Sequence, residues 1–433
     1  MFGKKTPEEK AALQARLAKA FEGEGEQEKV NLHRQPESDE DLDEDHADVP
    51  ERHDPSYRHA VETLRVNATS EVVEVSNVRL FTIEDLDLNS LTNCVSLSLR
   101  KNLIHELSPF PLHLANRLEE VDFFDNKIRK VRDFFVSATV PDEENPSEDG
   151  PKLIKKSFEH PFSHITKLDL SYNQIKHVNG LDSLAGTLKQ LYLVENKIKS
   201  VEGLDALVNL ELLELGGNRI REIGDGLKHL VNLKQLWIGK NKIASIGTSL
   251  HTLSKLELVS LQANRLLSIE PENFPEGKHP VLKEIYFSEN GLSEIVNLPL
   301  HATTIIDFSF NPIKSINKDV INPTNMPKLE EFWLTDGGLD DWEEVNKLIP
   351  FSSTLHTVYL ERNPIEHDRR YRDKVYRTLP FLTQIDSWPI VNKDNVEADR
   401  SIQRHGDAKK AVESKLLAKL AKKKEEEEKN NAQ

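Results

Sequence analysis

The residues that could do chemistry fall into three groups, each judged by its spacing. Between Glu37 and Glu51 nine carboxylates occur without a Lys or Arg. Asp39, Asp41 and Asp43 match the first three ligand positions of a calcium-binding loop, but Glu44 stands where that loop needs Gly and Pro50 where it needs a bidentate Glu. Gly224-Asp225-Gly226 opens a Gly-x-Gly phrase, and His229 in the third glycine slot removes a dinucleotide-binding reading. Asp169 with Glu214, and Glu331 with Glu361, have the residue types of acid–base pairs, a role that requires a pocket able to raise a carboxyl pKa. The sequence has no Gly-x-x-x-x-Gly-Lys, Gly-x-Ser-x-Gly or His-Glu-x-x-His phrase. Its 16 His are scattered, and the single Cys94 allows neither an internal disulfide nor a Cys-cluster metal site. No catalysis and no cofactor is expected, and the carboxylates are read as recognition groups.

What positions these carboxylates is a phrase, Leu-x-x-Leu-x-Leu-x-x-Asn-x-Ile/Leu, that recurs through residues 72–366. It appears around Asn102, Asn126, Asn173, Asn196, Asn218, Asn241, Asn264, Asn290, Asn311 and Asn363, with Gly337 filling the Asn slot of one copy. From Asn173 to Asn264 the steps are 23, 22, 23 and 23 residues. This is a leucine-rich-repeat pattern. In Leu191-Tyr192-Leu193, strand alternation sends both leucines inward and Tyr192 outward. The Asn after the strand is suited to satisfy backbone groups that the bend leaves unpaired. No single unit buries its own apolar face, so stacking must build one core. The expected fold is α/β: a solenoid of about twelve repeats of 22–23 residues with a parallel concave sheet.

Length and charge then divide along the chain. A chain of 433 residues suggests two or three domains, but 37% hydrophobic and 30% charged residues leave part of it solvated. Residues 1–60 read as a disordered acidic tail, 61–366 as the solenoid, 364–392 as its C-terminal cap and 393–433 as a charged helical or disordered tail. The Asn126–Asn173 step of 47 residues marks an acidic insertion at 132–163. In the cap, Tyr371, Val375, Leu379, Leu382 and Ile385 form a helix-like apolar stripe. Nine of the 16 net negative charges come from the Glu37–Glu51 run. The acidity disfavours nucleic acid and anionic membranes and favours a basic protein partner. The sequence shows neither an 18-residue apolar run nor a signal peptide, so an intracellular protein is expected.

The outward position between the two strand leucines holds, in order, Ser98, Asp122, Asp169, Tyr192, Glu214, Trp237, Ser260, Tyr286, Asp307, Trp333 and Tyr359. Large aromatics and carboxylates dominate a row that no core requires. Such a row either forms a partner surface, with Trp and Tyr as anchors and carboxylates meeting Arg or Lys, or packs its aromatics against one another.

Several phrases carry a family resemblance: Leu-Glu-Leu-Gly-Gly-Asn-Arg-Ile ending at Ile220, Gly-Lys-Asn-Lys-Ile at 239–243, Leu-Glu-Glu-Phe-Trp at 329–333 and Val-Tyr-Leu-Glu-Arg-Asn-Pro-Ile at 358–365. Together with the closing Gln384-Ile385-Asp386, they make residues 72–390 resemble the leucine-rich-repeat regulatory subunit of type-1 serine/threonine protein phosphatase. The resemblance implies a non-catalytic protein that clasps the phosphatase catalytic subunit with its concave face and controls its maturation, localisation or activity. It also implies a place in nucleus and cytoplasm, a link to mitosis, and room for a further phosphatase inhibitor in a ternary complex. The family's contact positions carry over to Asp169, Tyr192, Glu214, Trp237, Glu331, Trp333 and Tyr359. Tyr192 and Trp237 stand where the family usually has Phe, and the insertion, the Gly337 slot and both tails also depart from its pattern. Lys283-Glu284-Ile285-Tyr286-Phe287 matches the short docking peptide of other phosphatase regulators, but Ile285 and Phe287 are inward residues of a strand. The alternative is a ciliary or spliceosomal adaptor of the same repeat class, using the same face for a different protein.

Overall fold

Each copy of the repeated phrase folds into a three-residue strand, a tight bend and an irregular return. The computed structural model describes residues 67–390 apart from 133, 143–152, 271, 296, 297 and 299. The acidic run, the N-terminal tail, the centre of the insertion and the C-terminal tail therefore lie outside the described residues. Strands β1 (Val72–Glu74), β2 (Ser96–Ser98) and β3 (Glu120–Asp122) are followed by a separate pair, β4 (Ser137–Pro141) and β5 (Leu153–Ser157). The series resumes with β6 (Lys167–Asp169), β7 (Gln190–Tyr192), β8 (Leu212–Glu214), β9 (Gln235–Trp237), β10 (Leu258–Ser260) and β11 (Glu284–Tyr286). It closes with β12 (Ile305–Asp307), β13 (Glu331–Trp333), β14 (Thr357–Tyr359), β15 (Gln384–Ile385) and β16 (Trp388–Pro389). All but β4 and β5 form one sheet of 14 strands in chain order, parallel until β16 turns back against β15.

The bends are held by their asparagines. In Asn218 the side-chain Nδ2 donates to Leu215 O at 3.0 Å within its own repeat and to Leu193 O at 2.9 Å in the preceding one. Its Oδ1 accepts the Ile198 N–H at 3.1 Å. The same three contacts recur at Asn126, Asn173, Asn196, Asn241, Asn264, Asn290 and Asn311. Each side chain thus ties two successive turns of the solenoid together. The residue just before each of these asparagines is left-handed, as it is before Asn102 and Asn363, which make the same contacts, and at Asp336 before Gly337. Lys101, Asp125, Tyr172, Glu195, Lys240, Ala263, Glu289, Phe310 and Arg362 have φ between 51 and 61°, and only Gly217 is a glycine. An L-residue in this region costs roughly 1–2 kcal/mol, so the ladder must offset a repeated strain.

Two exceptions show what the ladder does. Where Gly337 replaces the Asn, Ile313 N–H turns back to Asn311 O at 2.7 Å instead of crossing to the next repeat. At the C-terminal end Asp386 takes over, its Oδ1 accepting from Leu360 N and Glu361 N at 2.8 and 3.0 Å and from the Tyr371 hydroxyl at 3.2 Å.

Inward leucines, isoleucines and phenylalanines from every repeat form one continuous buried cluster from Val73 to Ile385. Tyr371 and Val375 of the helix Tyr371–Thr378, together with Leu379, Leu382 and Ile385, are buried against its last turn. Cys94 is fully buried in the second repeat, and burial pushes its thiol pKa up. The 47-residue step interrupts no strand pairing, because β3 pairs directly with β6, Asp122 beside Asp169. The inserted residues instead make the antiparallel β4–β5 hairpin. Its base is fixed by Phe134 and Phe162 packing against Phe110 and by Phe135 packing against Phe134 and Phe162, with ring centroids 4.8–5.9 Å apart.

Asn218→Ala removes a buried donor and acceptor that serve two repeats at once. It should destabilise the solenoid by about 2–4 kcal/mol in urea unfolding, whereas Asn209→Ala, whose amide reaches only the surface carbonyls of Ala185 and Gly186, should cost well under half as much.

Candidate functional site

The strand register alone lines up the outward row. Tyr192 pairs with Glu214, Glu214 with Trp237, Trp237 with Ser260, Ser260 with Tyr286, Tyr286 with Asp307, Asp307 with Trp333 and Trp333 with Tyr359. Small or short residues alternate with rings in the C-terminal half, so rings two strands apart can meet above them. Trp237 stacks on Tyr286 at 6.4 Å and 16°, Tyr286 meets Trp333 at 6.0 Å, and Trp333 meets Tyr359 edge-on at 5.1 Å. The result is a ribbon of four rings across six strands.

This packing corrects part of the expected outward row. Ser260, Tyr286 and Asp307 are buried, Tyr286 to 1% exposure. Concavity crowds the outward side chains together, so the large neighbours Trp237 and Trp333 cover the residues between them. Burial raises the Tyr286 hydroxyl and Asp307 carboxyl pKa values, although Asp307 Oδ1 still accepts the Ser309 N–H at 2.8 Å. Trp237, Trp333 and Tyr359 remain partly exposed and form the accessible top of the ribbon.

A second row supports the first. Tyr192 Oη donates to Gln190 Oε1 at 3.0 Å, Trp237 Nε1 to Gln235 Oε1 at 3.5 Å, Tyr286 Oη to Glu284 Oε2 at 3.0 Å and Trp333 Nε1 to Glu331 Oε2 at 3.3 Å. In each case the polar handle of the aromatic is tied to the residue two positions earlier on the same face. Tyr359 is held instead from the cap, its hydroxyl accepting from Gln384 Nε2 at 2.7 Å. Glu331 is consequently buried at 8% exposure and orients Trp333, a placement the outward row did not reveal. The signal was present in the sequence as Gln-Leu-Tyr, Gln-Leu-Trp, Glu-Ile-Tyr and Glu-Phe-Trp. Of the aromatic-free phrases, Leu212-Leu213-Glu214, Leu258-Val259-Ser260 and Ile305-Ile306-Asp307 carry an apolar residue there, whereas Ser96-Leu97-Ser98, Glu120-Val121-Asp122 and Lys167-Leu168-Asp169 carry a polar one.

The N-terminal half of the row is acidic. Asp122 and Asp169 lie side by side, both partly exposed, each accepting the backbone N–H two residues on, at 2.9 and 2.8 Å. Partial burial and, less strongly, the neighbouring Asp169 charge raise the Asp122 pKa, while Arg100 at 3.3 Å offsets this. Glu214 is partly exposed between Tyr192 and Trp237. Asp169 and Glu214 are thus two strands apart on an open sheet, and Glu331 is committed to Trp333. His177 and His229 are exposed, and His279 is buried beside Phe274, with burial holding its pKa down to about 4. Among the described residues no group of His, Cys, Asp and Glu is arranged to hold a metal, and no helix is long and apolar enough to cross a membrane.

This architecture is a leucine-rich-repeat solenoid, and comparison with known proteins agrees. A family model described as Leucine-rich repeat matches residues 150–272. The structure of an internalin, InlF, from Listeria monocytogenes is 18% identical and superposes with a TM-score of 0.53 over 73% of this chain and 87% of its own, a likeness of fold alone. The chain is also similar to the protein phosphatase 1 regulatory subunit SDS22 of Saccharomyces cerevisiae, 32% identical over 114 residues, or 26% of this chain and 27% of the relative. It is 30% identical over 170 residues to the protein phosphatase 1 regulatory inhibitor subunit PPP1R7 homolog of Arabidopsis thaliana, covering 38% of this chain and 44% of the relative. The chain therefore matches less than half the length of these relatives. They are named as regulatory subunits, a non-catalytic class, and they bear out the resemblance read from the repeat phrases.

Tyr286→Ala should remove the central ring of the ribbon, costing about 3–5 kcal/mol of stability and weakening the near-ultraviolet circular dichroism of its Trp neighbours. Tyr286→Phe should keep the signal and cost only about 1 kcal/mol.

Proposed function

We propose that this protein is a regulatory subunit of type-1 serine/threonine protein phosphatase that binds the catalytic subunit across its concave face. The observation that carries the reading is the aromatic ribbon. Three ring surfaces, Trp237, Trp333 and Tyr359, are held rigid by stacking and by side-chain hydrogen bonds yet left partly accessible on the outward side of the sheet. Large preorganised aromatics are the side chains that anchor protein interfaces, because they desolvate much area while losing little rotamer freedom. Asp169 and Glu214 continue the face toward the N-terminus beside Tyr192, so the partner that fits presents apolar pockets at one end and Arg or Lys at the other.

Within this reading Glu331 acts through Trp333 rather than by meeting a basic group directly. Binding of this kind would govern the maturation, localisation or activity of the catalytic subunit in nucleus and cytoplasm, and an open solenoid edge leaves space for a further inhibitor. The names of the yeast and plant relatives support the choice of partner.

Trp333→Ala and Tyr359→Ala should each weaken binding by on the order of 2–4 kcal/mol in a titration with purified type-1 catalytic subunit, with the fold retained. Unchanged affinity in both variants contradicts the proposal. Capture of a ciliary or splicing component in place of the phosphatase, through the same residues, assigns the face to an adaptor role instead.

A further inference from the structure

The edge of the sheet where the strands begin carries a different chemistry from the concave row. The residue just before each strand is Lys189 at β7, Glu211 at β8, Lys234 at β9, Glu257 at β10 and Lys283 at β11. Alternation pairs Lys234 with Glu211 and Lys283 with Glu257, each at 2.6 Å. Lys189 is left at the end of this series, with no carboxylate within ion-pair distance among the described residues. One turn outward runs a second row, in which Asn232 Nδ2 donates to Val208 O at 2.8 Å and Lys255 Nζ donates to Asn232 Oδ1 at 2.6 Å. The Lys255 charge is thus met by a neutral oxygen.

The two rows border a recess of about 410 Å³ lined by Lys189, Lys234, Lys255, Glu211, Asn209 and Asn232. Three ammonium groups and one carboxylate give it a local charge of +2 in a chain whose net charge is −16. The Lys234 hydrogen bond foremost, with the charges of Lys234, Lys189 and Lys255 behind it, holds the Glu211 carboxyl below the usual carboxylate range. Val208 and Val231, each next to a lining asparagine in the chain, are 42% and 45% exposed.

We propose that this recess binds a phosphoryl dianion. Its charge of nearly −2 matches the local +2, and its oxygens accept from several ammonium groups at once. A phosphoryl group carried on a Ser or Thr of a peptide would also cover the two valines, which a free phosphate ion leaves in water.

The test is isothermal titration of the full-length protein at fixed ionic strength with three probes: inorganic phosphate, a blocked phosphoserine peptide with flanking valines, and its unphosphorylated counterpart. Saturable binding of the first two, competition between them and silence from the third are expected. Lys189→Ala combined with Lys255→Ala should lower both affinities at least about tenfold, and Lys283→Ala, outside the recess, should change neither. If the phosphopeptide binds more tightly than phosphate and Val208→Ser with Val231→Ser abolishes the difference, the ligand is a phosphorylated peptide. Equal affinities assign the site to the free ion. No saturable binding of either phosphate probe, or binding untouched by the double lysine variant, overturns the proposal.

Discussion

Everything in this molecule depends on one side chain used repeatedly. An asparagine amide carries donors and an acceptor on a short stem, and here each reaches its own turn and the turn before it. No aliphatic residue can do this, and an acid lacks the donors. The bends buried at the edge of the sheet have carbonyls and N–H groups that water cannot reach, so leaving them unsatisfied would cost about 1–3 kcal/mol at each group. With the amide in place, successive strands are locked in register, and the preceding residue is left-handed even where it is Lys, Asp or Phe, as it also is at Asp336 before Gly337. The Gly337 copy, where the crossing bond is lost and the backbone closes on itself, shows that one missing rung is tolerated in an otherwise continuous array.

Register is what turns a row of letters into a surface. Because every strand contributes its middle residues at the same height, the outward side chains fall in line, and concavity presses them together. In the C-terminal half Ser260 and Asp307 are short enough to lie beneath their neighbours, and the rings close over them. Stacked and edge-on contacts of this kind are worth about 0.5–1.5 kcal/mol each. Part of the aromatic surface therefore serves stability, while its accessible upper part is fixed in position before any partner arrives. In the N-terminal half Asp122 and Asp169 lie side by side at partial burial, and Arg100 beside Asp122 already offsets part of their repulsion.

Much of this was legible in advance. The period, the inward leucines and the turn asparagines follow from residue type and spacing alone, because one physical unit is repeated until its signal is plain. The outward row was legible as positions and not as an arrangement. Alternation says that Tyr286 points away from the core, but only curvature says that Trp237 and Trp333 will cover it. The polar residue two positions before each aromatic was visible as a pattern without an obvious purpose until the indole and hydroxyl bonds gave it one. The insertion was legible as extra length, whereas its hairpin and phenylalanine base depend on contacts with Phe110 that spacing does not encode.

The central proposal is that the ribbon forms the seat of a phosphatase catalytic subunit. Hydroxyl-radical footprinting of the chain with and without saturating catalytic subunit reads this directly, residue by residue. Trp237, Trp333 and Tyr359 should lose most of their reactivity on binding, while Trp388, exposed on the terminal strand, keeps its own. Binding that leaves the three ribbon residues as reactive as before would contradict the account.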